Sequence, residues 1–128
     1  MLISIIIPTY NRPHFLAQCI EAIAGQIRND PDVEVMVVDD GSAPEAAAKN
    51  EKLCRTNGAN YHRLERNHGM AVARNKGISR STGEWLVFID DDFRVAEEWL
   101  TTLKKTVCAQ PESGTPLSRL TAQMRRPS

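Results

Sequence analysis

Leu2-Ile3-Ser4-Ile5-Ile6-Ile7 is a nearly unbroken apolar run that leads straight into Pro8-Thr9-Tyr10-Asn11-Arg12. A strand with one wet face alternates apolar and polar residues, whereas an unbroken run belongs to a sheet covered on both faces. The rest of the chain is consistent with that reading. Val33 to Val38 and Trp85 to Ile89 are further short apolar runs, with a weaker one from Asn60 to Leu64.

Helical patterns separate these strands. After Pro13, suited to a first helical turn, Leu16, Cys19, Ile20, Ile23, Ala24 and Ile27 recur at spacings of three and four and form one stripe. Asn29-Asp30-Pro31-Asp32 breaks that helix. Ser42-Ala43-Pro44-Glu45 has the spacing of a capping box and predicts an Ala-rich helix to about Arg55, stopped by Asn57-Gly58. Asn67-His68-Gly69 opens a small-residue helix through Ile78, and Ala96 to Ala109 predicts a last one with Leu100, Leu103 and Val107 turned inward.

The order β-α-β-α-β-α-β-α predicts an α/β fold, a Rossmann-like open parallel sheet with helices on both faces. Right-handed crossovers place every strand's C-terminal end on one edge, where such sheets bind ligands. Residues 1–110 are expected to form this domain. Residues 111–128, with three Pro, one Gly and little periodicity, are expected to be a loose or irregular tail.

Composition narrows the function classes. Lys plus Arg equals Asp plus Glu, 16 against 16, so no basic excess points to nucleic acid. Cys19, Cys54 and Cys108 are odd in number and widely spaced, which argues for reduced thiols rather than zinc or a disulfide framework. No apolar run approaches the roughly 20 residues of a membrane span. The expected location is the cytoplasm, including the inner face of the membrane.

Three loops following strands one, two and four share the ligand-binding edge: Pro8-Thr9-Tyr10-Asn11, Asp39-Asp40-Gly41-Ser42 and Asp90-Asp91-Asp92. Neighbouring carboxylates repel by roughly 1 kcal/mol at 4 Å in water and by about 4 at an effective dielectric of 20. A triple Asp at a strand end therefore invites a cation. Side chains alternate along a strand, so Asp90 and Asp92 fall on one side and suit Mg²⁺ or Mn²⁺, with diphosphate oxygens and waters completing the shell. Solvated loop acids, one capping the next helix, are the other reading. Asp39-Asp40 serves equally as a turn former or as an acceptor for a base N–H or ribose hydroxyl. Tyr10 stacks on a base or simply packs. The N-terminus of the helix after Gly69 offers free N–H groups to a phosphate, with Arg74 and Lys76 further along it.

Taken together these segments resemble the family 2 glycosyltransferases of the GT-A fold. Ile3 to Arg12 is similar to that family's opening strand and nucleotide loop. Val35 to Ser42 resembles its second strand with a base-binding Asp. Asn67-His68-Gly69 with Ala73-Arg74-Asn75-Lys76-Gly77-Ile78 resembles its Asn-x-Gly and Ala-Arg-Asn-x-Gly-Ile segment, and Phe88-Ile89-Asp90-Asp91-Asp92 its Asp-x-Asp strand. The resemblance implies an inverting hexosyltransferase that uses Mn²⁺ or Mg²⁺ and a nucleotide-diphosphate sugar donor, UDP-sugar favoured, with an acceptor it does not name. It implies donor contacts from Pro8, Thr9, Tyr10, Asp40, Asp90 and Asp91, and metal binding by Asp92 with Asp90.

Members of that family continue past the Asp-x-Asp motif into an acceptor site and a carboxylate general base. Here Glu112 is the only acid after Ala109, and no catalytic base is assigned. The expectation is therefore a donor domain truncated after the Asp-x-Asp strand and its helix. The alternative is an inactive nucleotide-binding remnant, or a module completed by a partner. An edge strand and an apolar face near Trp85 and Trp99 are then expected to lie uncovered and to promote self-association. A receiver domain lacks its later strand ending in Lys, and a dinucleotide-binding dehydrogenase lacks G-x-G-x-x-G after the first strand.

Overall fold

The computed structural model describes residues 3–109 and 121–125. The elements run β1 (Ile3–Thr9), α1 (Pro13–Ile27), β2 (Val33–Asp39), α2 (Pro44–Asn57), β3 (Asn60–Arg63), α3 (Met70–Arg80), β4 (Trp85–Ile89), α4 (Trp99–Ala109) and β5 (Thr121–Arg125). They form one sheet in the order β3-β2-β1-β4-β5. The first four strands are parallel, with Ile3 opposite both Val33 and Trp85.

All seven residues of β1 are buried, as its unbroken apolar pattern requires of a central strand. Ile3, Ile5 and Ile7 join Val33, Val35, Val37, Val87 and Ile89 in the larger core, sealed by Leu16, Ile20 and Ile23 of α1, Cys54 of α2 and Leu100, Leu103 and Val107 of α4. On the opposite face Met36, Val38 and Leu64 meet Ala73 of α3. Gly77 lets α3 lie close, since a Cβ there would come within 2.5 Å of the Ile6 side chain. Helices thus cover both faces, and the direction of winding reverses between β1 and β4. An open α/β sheet splays its loops apart at that switch point and leaves a crevice.

Several local expectations are corrected. Thr121–Arg125 is a strand rather than loose tail, paired antiparallel to β4 from Ile89↔Thr121 to Trp85↔Arg125. Its sequence is a poor strand signal because main-chain bonds to the unpaired edge of β4 make the pairing, whatever the side-chain pattern. The capping box at Ser42 is not made. The N-cap of α2 is Ala43, without a side-chain bond, and Pro44 at N1 has no N–H to satisfy. Ser42 Oγ instead accepts from Asn11 N–H at 2.8 Å, while Asn11 Oδ1 accepts from Ala43 N–H at 2.8 Å. That exchange locks the β1 loop to the β2 loop.

The last helix begins at Trp99, not Ala96, because Gln26 of α1 holds the preceding turn. Its Nε2 donates to Ala96 O at 2.6 Å and its Oε1 accepts from Leu100 N–H at 2.9 Å. The apolar face expected near the tryptophans is covered as well. Trp85 is 3% exposed, and Trp99 is half-buried against the same core, because α4 folds back over β4.

Candidate functional site

The carboxyl edge of the sheet carries five aspartates, and the structure separates them. Asp39 is fully buried. Its Oδ1 accepts from Ser42 N–H at 2.8 Å, and its Oδ2 from Asn50 Nδ2 at 3.0 Å and the Tyr61 hydroxyl at 2.6 Å. The carboxylate therefore ties β2, α2 and β3 together. Burial first, and then the bond to Asp39, push the Tyr61 phenol well above its ordinary pKa and keep it a donor.

Asp40, expected at the nucleoside, is also fully buried. Its Oδ1 accepts from His68 N–H at 2.8 Å, and its Oδ2 from Gly69 N–H at 2.8 Å and Asn67 Nδ2 at 3.0 Å. The N–H groups of His68 and Gly69, which lead into α3, are thus bonded to this carboxylate. The carboxylate sits beside Gly69, the N-cap of α3, where the helix dipole favours an anion. Gly41 makes the arrangement possible. Its φ is +78°, and a Cβ there would fall 2.3 Å from the backbone carbonyl carbon of Arg66.

The triple Asp follows β4 and alternates as strand geometry requires: Asp90 and Asp92 are exposed and Asp91 is buried. Thr9 Oγ1 donates to Asp91 Oδ2 at 2.8 Å beneath the surface. Arg12 Nη1 lies 3.4 Å from Asp91 Oδ1 and its Nη2 lies 3.4 Å from Asp92 Oδ2. Arg74 Nη2 is 3.8 Å from Asp90 Oδ1. Burial raises the pKa of Asp91, while the Thr9 bond and the Arg12 charge pull it back. Burial likewise pushes the neighbouring Cys19 thiol up to about 12, helped by Asp91, Asp92 and Asp90, so it stays a thiol.

A pocket of about 350 Å³ opens here, lined by Pro8, Tyr10, Arg12, Met70, Arg74, Asp90, Asp91 and Asp92. It sits at the switch point between β1 and β4. Two larger hollows lie elsewhere, one at the opposite edge around Arg28 to Pro31 and Thr56 to Gly58, the other between α1 and α2. Neither gathers comparable chemistry. Of the residues expected to touch a donor, Pro8, Tyr10, Asp90, Asp91 and Asp92 meet at the pocket, whereas Thr9 and Asp40 do not line it.

Among the described residues no three His, Cys, Asp or Glu side chains converge as a metal cage. Two exposed carboxylates at the rim still fit Mg²⁺ or Mn²⁺, which often take one or two protein carboxylates and fill the shell with water and phosphate. Arg12 escaped the reading of the sequence. The signal was the surplus of three carboxylates seeking a countercharge, but assigning it requires knowing that β1 lies beside β4.

An open α/β domain with a pocket of three aspartates and two arginines at its switch point has its charged side chains where sheets of this class hold ligands. Residues 4–125 match the family described as glycosyl transferase family 2, and the chain belongs to that family. It is 33% identical over 107 residues to the glycosyltransferase GlyG of Streptococcus pneumoniae serotype 4, a match covering 83% of this chain and 35% of GlyG. It is 28% identical over 109 residues to GlyA of the same organism, covering 82% of this chain and 15% of GlyA. The chain thus spans a minor part of these relatives.

Among solved structures, S. aureus TarS 1–349 in complex with UDP-GlcNAc superposes with a TM-score of 0.76 at 28% identity, covering 87% of this chain and 32% of that one. The mannosyltransferase PcManGT of Pyrobaculum calidifontis, in complex with GDP-Man and Mn²⁺, gives 0.79 at 22% identity over 97% of this chain and 44% of that one, a likeness of fold. Among the described residues no helix is long and apolar enough to cross a membrane.

Proposed function

We propose that this chain is the donor-binding part of a glycosyltransferase, holding a nucleotide-diphosphate sugar at the β1/β4 switch point. The observation that carries this reading is the convergence of Arg12, Arg74, Asp90, Asp91 and Asp92 with Pro8 and Tyr10 on one pocket of about 350 Å³. Clefts of this size suit a small ligand. Tyr10, 39% exposed, offers a ring to the base, and Pro8 shapes the wall beside it. Asp90 faces the ribose and diphosphate. Asp92, with Asp90, would hold Mn²⁺ or Mg²⁺.

When bound, such a cation neutralises charge developing on the departing nucleoside diphosphate. Thr9 and Asp91 act from below by fixing the loop that presents Asp90 and Asp92. Asp40 acts through the Asn67–Gly69 loop, and it reaches a base only if that loop opens. UDP is the favoured nucleotide, supported by the TarS complex with UDP-GlcNAc. The buried, unpaired Cys19 and Cys54 support a reducing, cytoplasmic setting.

The test is calorimetric titration of UDP, and separately GDP, into the 128-residue chain with and without Mn²⁺, alongside Asp92→Ala. Binding that requires Mn²⁺ and is lost in the variant is expected. Binding indifferent to Mn²⁺ and to Asp92 would remove the metal-assisted donor site.

A further inference from the structure

We propose that Arg12 is the internal countercation of this pocket, and that its release from Asp91 and Asp92 couples divalent-cation binding to nucleotide binding. This rests on the donor-site reading above. The guanidinium spans both carboxylates, Nη1 toward Asp91 Oδ1 and Nη2 toward Asp92 Oδ2, each at 3.4 Å. The other oxygen of Asp91 is taken by Thr9. Charge-assisted N–H···O bonds are commonly about 2.7–2.9 Å, so both contacts are loose and easily exchanged.

Arg12 is also open to solvent on its outer side. Its guanidinium carbon lies 4.4 Å from the centroid of the exposed Phe15 ring, and the side chain is 43% exposed. It can therefore turn from Asp92 into solvent at the rim, while the buried Asp91 keeps its bond from Thr9. Arg74 stands near Asp90 at 3.8 Å, so two guanidiniums already offset part of the pocket's three carboxylates.

For Asp92 to hold a divalent cation in the absence of nucleotide, Arg12 would have to give up that carboxylate and would remain close to the added charge. Like charges at short range oppose that state. A diphosphate changes the balance, because its oxygens accept the fork of the displaced guanidinium in a bidentate bond. Cation and nucleotide then each bind better in the presence of the other, by one and the same factor. Arg12 is a positioning residue in this scheme, and it disfavours an idle metal ion in an empty site.

The experiment is Mn²⁺ titration of the 128-residue chain, following the paramagnetic resonance of free Mn²⁺, without nucleotide and with saturating UDP or GDP. Wild type, Arg12→Gln and Arg12→Lys are compared, with circular dichroism confirming that each is folded. Arg12→Gln is expected to bind Mn²⁺ alone about two- to fivefold more tightly, the scale of one exposed ion pair removed. The tightening produced by nucleotide is expected to shrink by a similar factor. Arg12→Lys, keeping the charge without the fork, should fall between the two. Arg12→Gln binding free Mn²⁺ no more tightly than wild type, with undiminished coupling to nucleotide, overturns the proposal and leaves the donor site standing. A wild-type chain that takes up no Mn²⁺ even with UDP or GDP overturns both.

Discussion

Asp39→Ala tests whether this edge is organised by buried carboxylates rather than by its loops alone. The side chain is fully buried and accepts three bonds, from Ser42 N–H, Asn50 Nδ2 and the Tyr61 hydroxyl. A hydrogen bond to a charged group contributes about 1.5–3 kcal/mol, and each donor left buried without a partner adds its own cost. Asn50 is the most vulnerable, since its Oδ1 is already buried without a partner and the variant removes the bond its Nδ2 makes to Asp39. Recovery of the carboxylate's desolvation offsets part of the loss, so about 3–5 kcal/mol is expected. With a urea m-value of about 1–3 kcal/mol/M for a domain of this size, the midpoint falls by roughly 2 M. Urea unfolding followed by tryptophan fluorescence reads this directly, because Trp85 is buried in the core. Tyr61→Phe, which removes one bond to the carboxylate, should cost about 1.5–3 kcal/mol. A midpoint for Asp39→Ala within about 0.3 M of wild type at unchanged m would refute the reasoning.

Two further outcomes are expected. Gly41→Ala forces a Cβ to 2.3 Å from the Arg66 carbonyl carbon at a positive φ, so it should lose about 3 kcal/mol or more in the same assay, through strain in a backbone that cannot yield. Glu34 probes the opposite edge. Burial alone would raise its pKa, but bonds from the Ser4 hydroxyl, from Thr82 and from the Gly83 N–H more than offset that and lower it. A carboxyl lowered on folding contributes stability that is present above its unfolded pKa and lost as pH falls through the folded one. The gap between wild type and Glu34→Gln should therefore be full at pH 7 and close progressively below pH of about 4.5. A gap independent of pH from 7 to 3 would count against the Glu34 latch.

Much of the fold was legible because its strongest signals are local. The unbroken run Ile3–Ile7 announced a central strand, and the stripe Leu16, Cys19, Ile20, Ile23 announced the face of α1, both as found. The signals that misled were those another segment could override. Ser42 looked like a cap, but Asn11 reached its hydroxyl first, a pairing made across 31 residues. Residues Ala96 to Glu98 fit a helix by propensity, but Gln26 of α1 fixed the turn before Trp99. Thr121–Arg125 became a strand through its partner's free edge rather than through its own side chains. Each miss is a tertiary contact taking a group that local pattern had assigned elsewhere.

The same distinction governs the five aspartates, and it bears on how such a site can be read at all. Sequence presents Asp39-Asp40 and Asp90-Asp91-Asp92 as equivalent clusters at strand ends. Alternation along a strand sends neighbours to opposite faces, so what each carboxylate becomes depends on what waits there. Asp39 meets Asn50 and Tyr61. Asp40 meets the backbone before α3, and Asp91 meets Thr9 from the adjacent strand. Those three find protein donors and are buried. Among the described residues, Asp90 and Asp92 find only the long arms of Arg74 and Arg12 at 3.8 and 3.4 Å, and they remain exposed. A carboxylate satisfied by short bonds from rigid elements is architecture, whereas one held loosely by a mobile cation is available for exchange. By that criterion the exchangeable pair is Asp90 and Asp92, the first and third of the triple. Substituting Asp92 should therefore abolish ligand binding at little cost in stability, whereas substituting Asp39 should cost stability first.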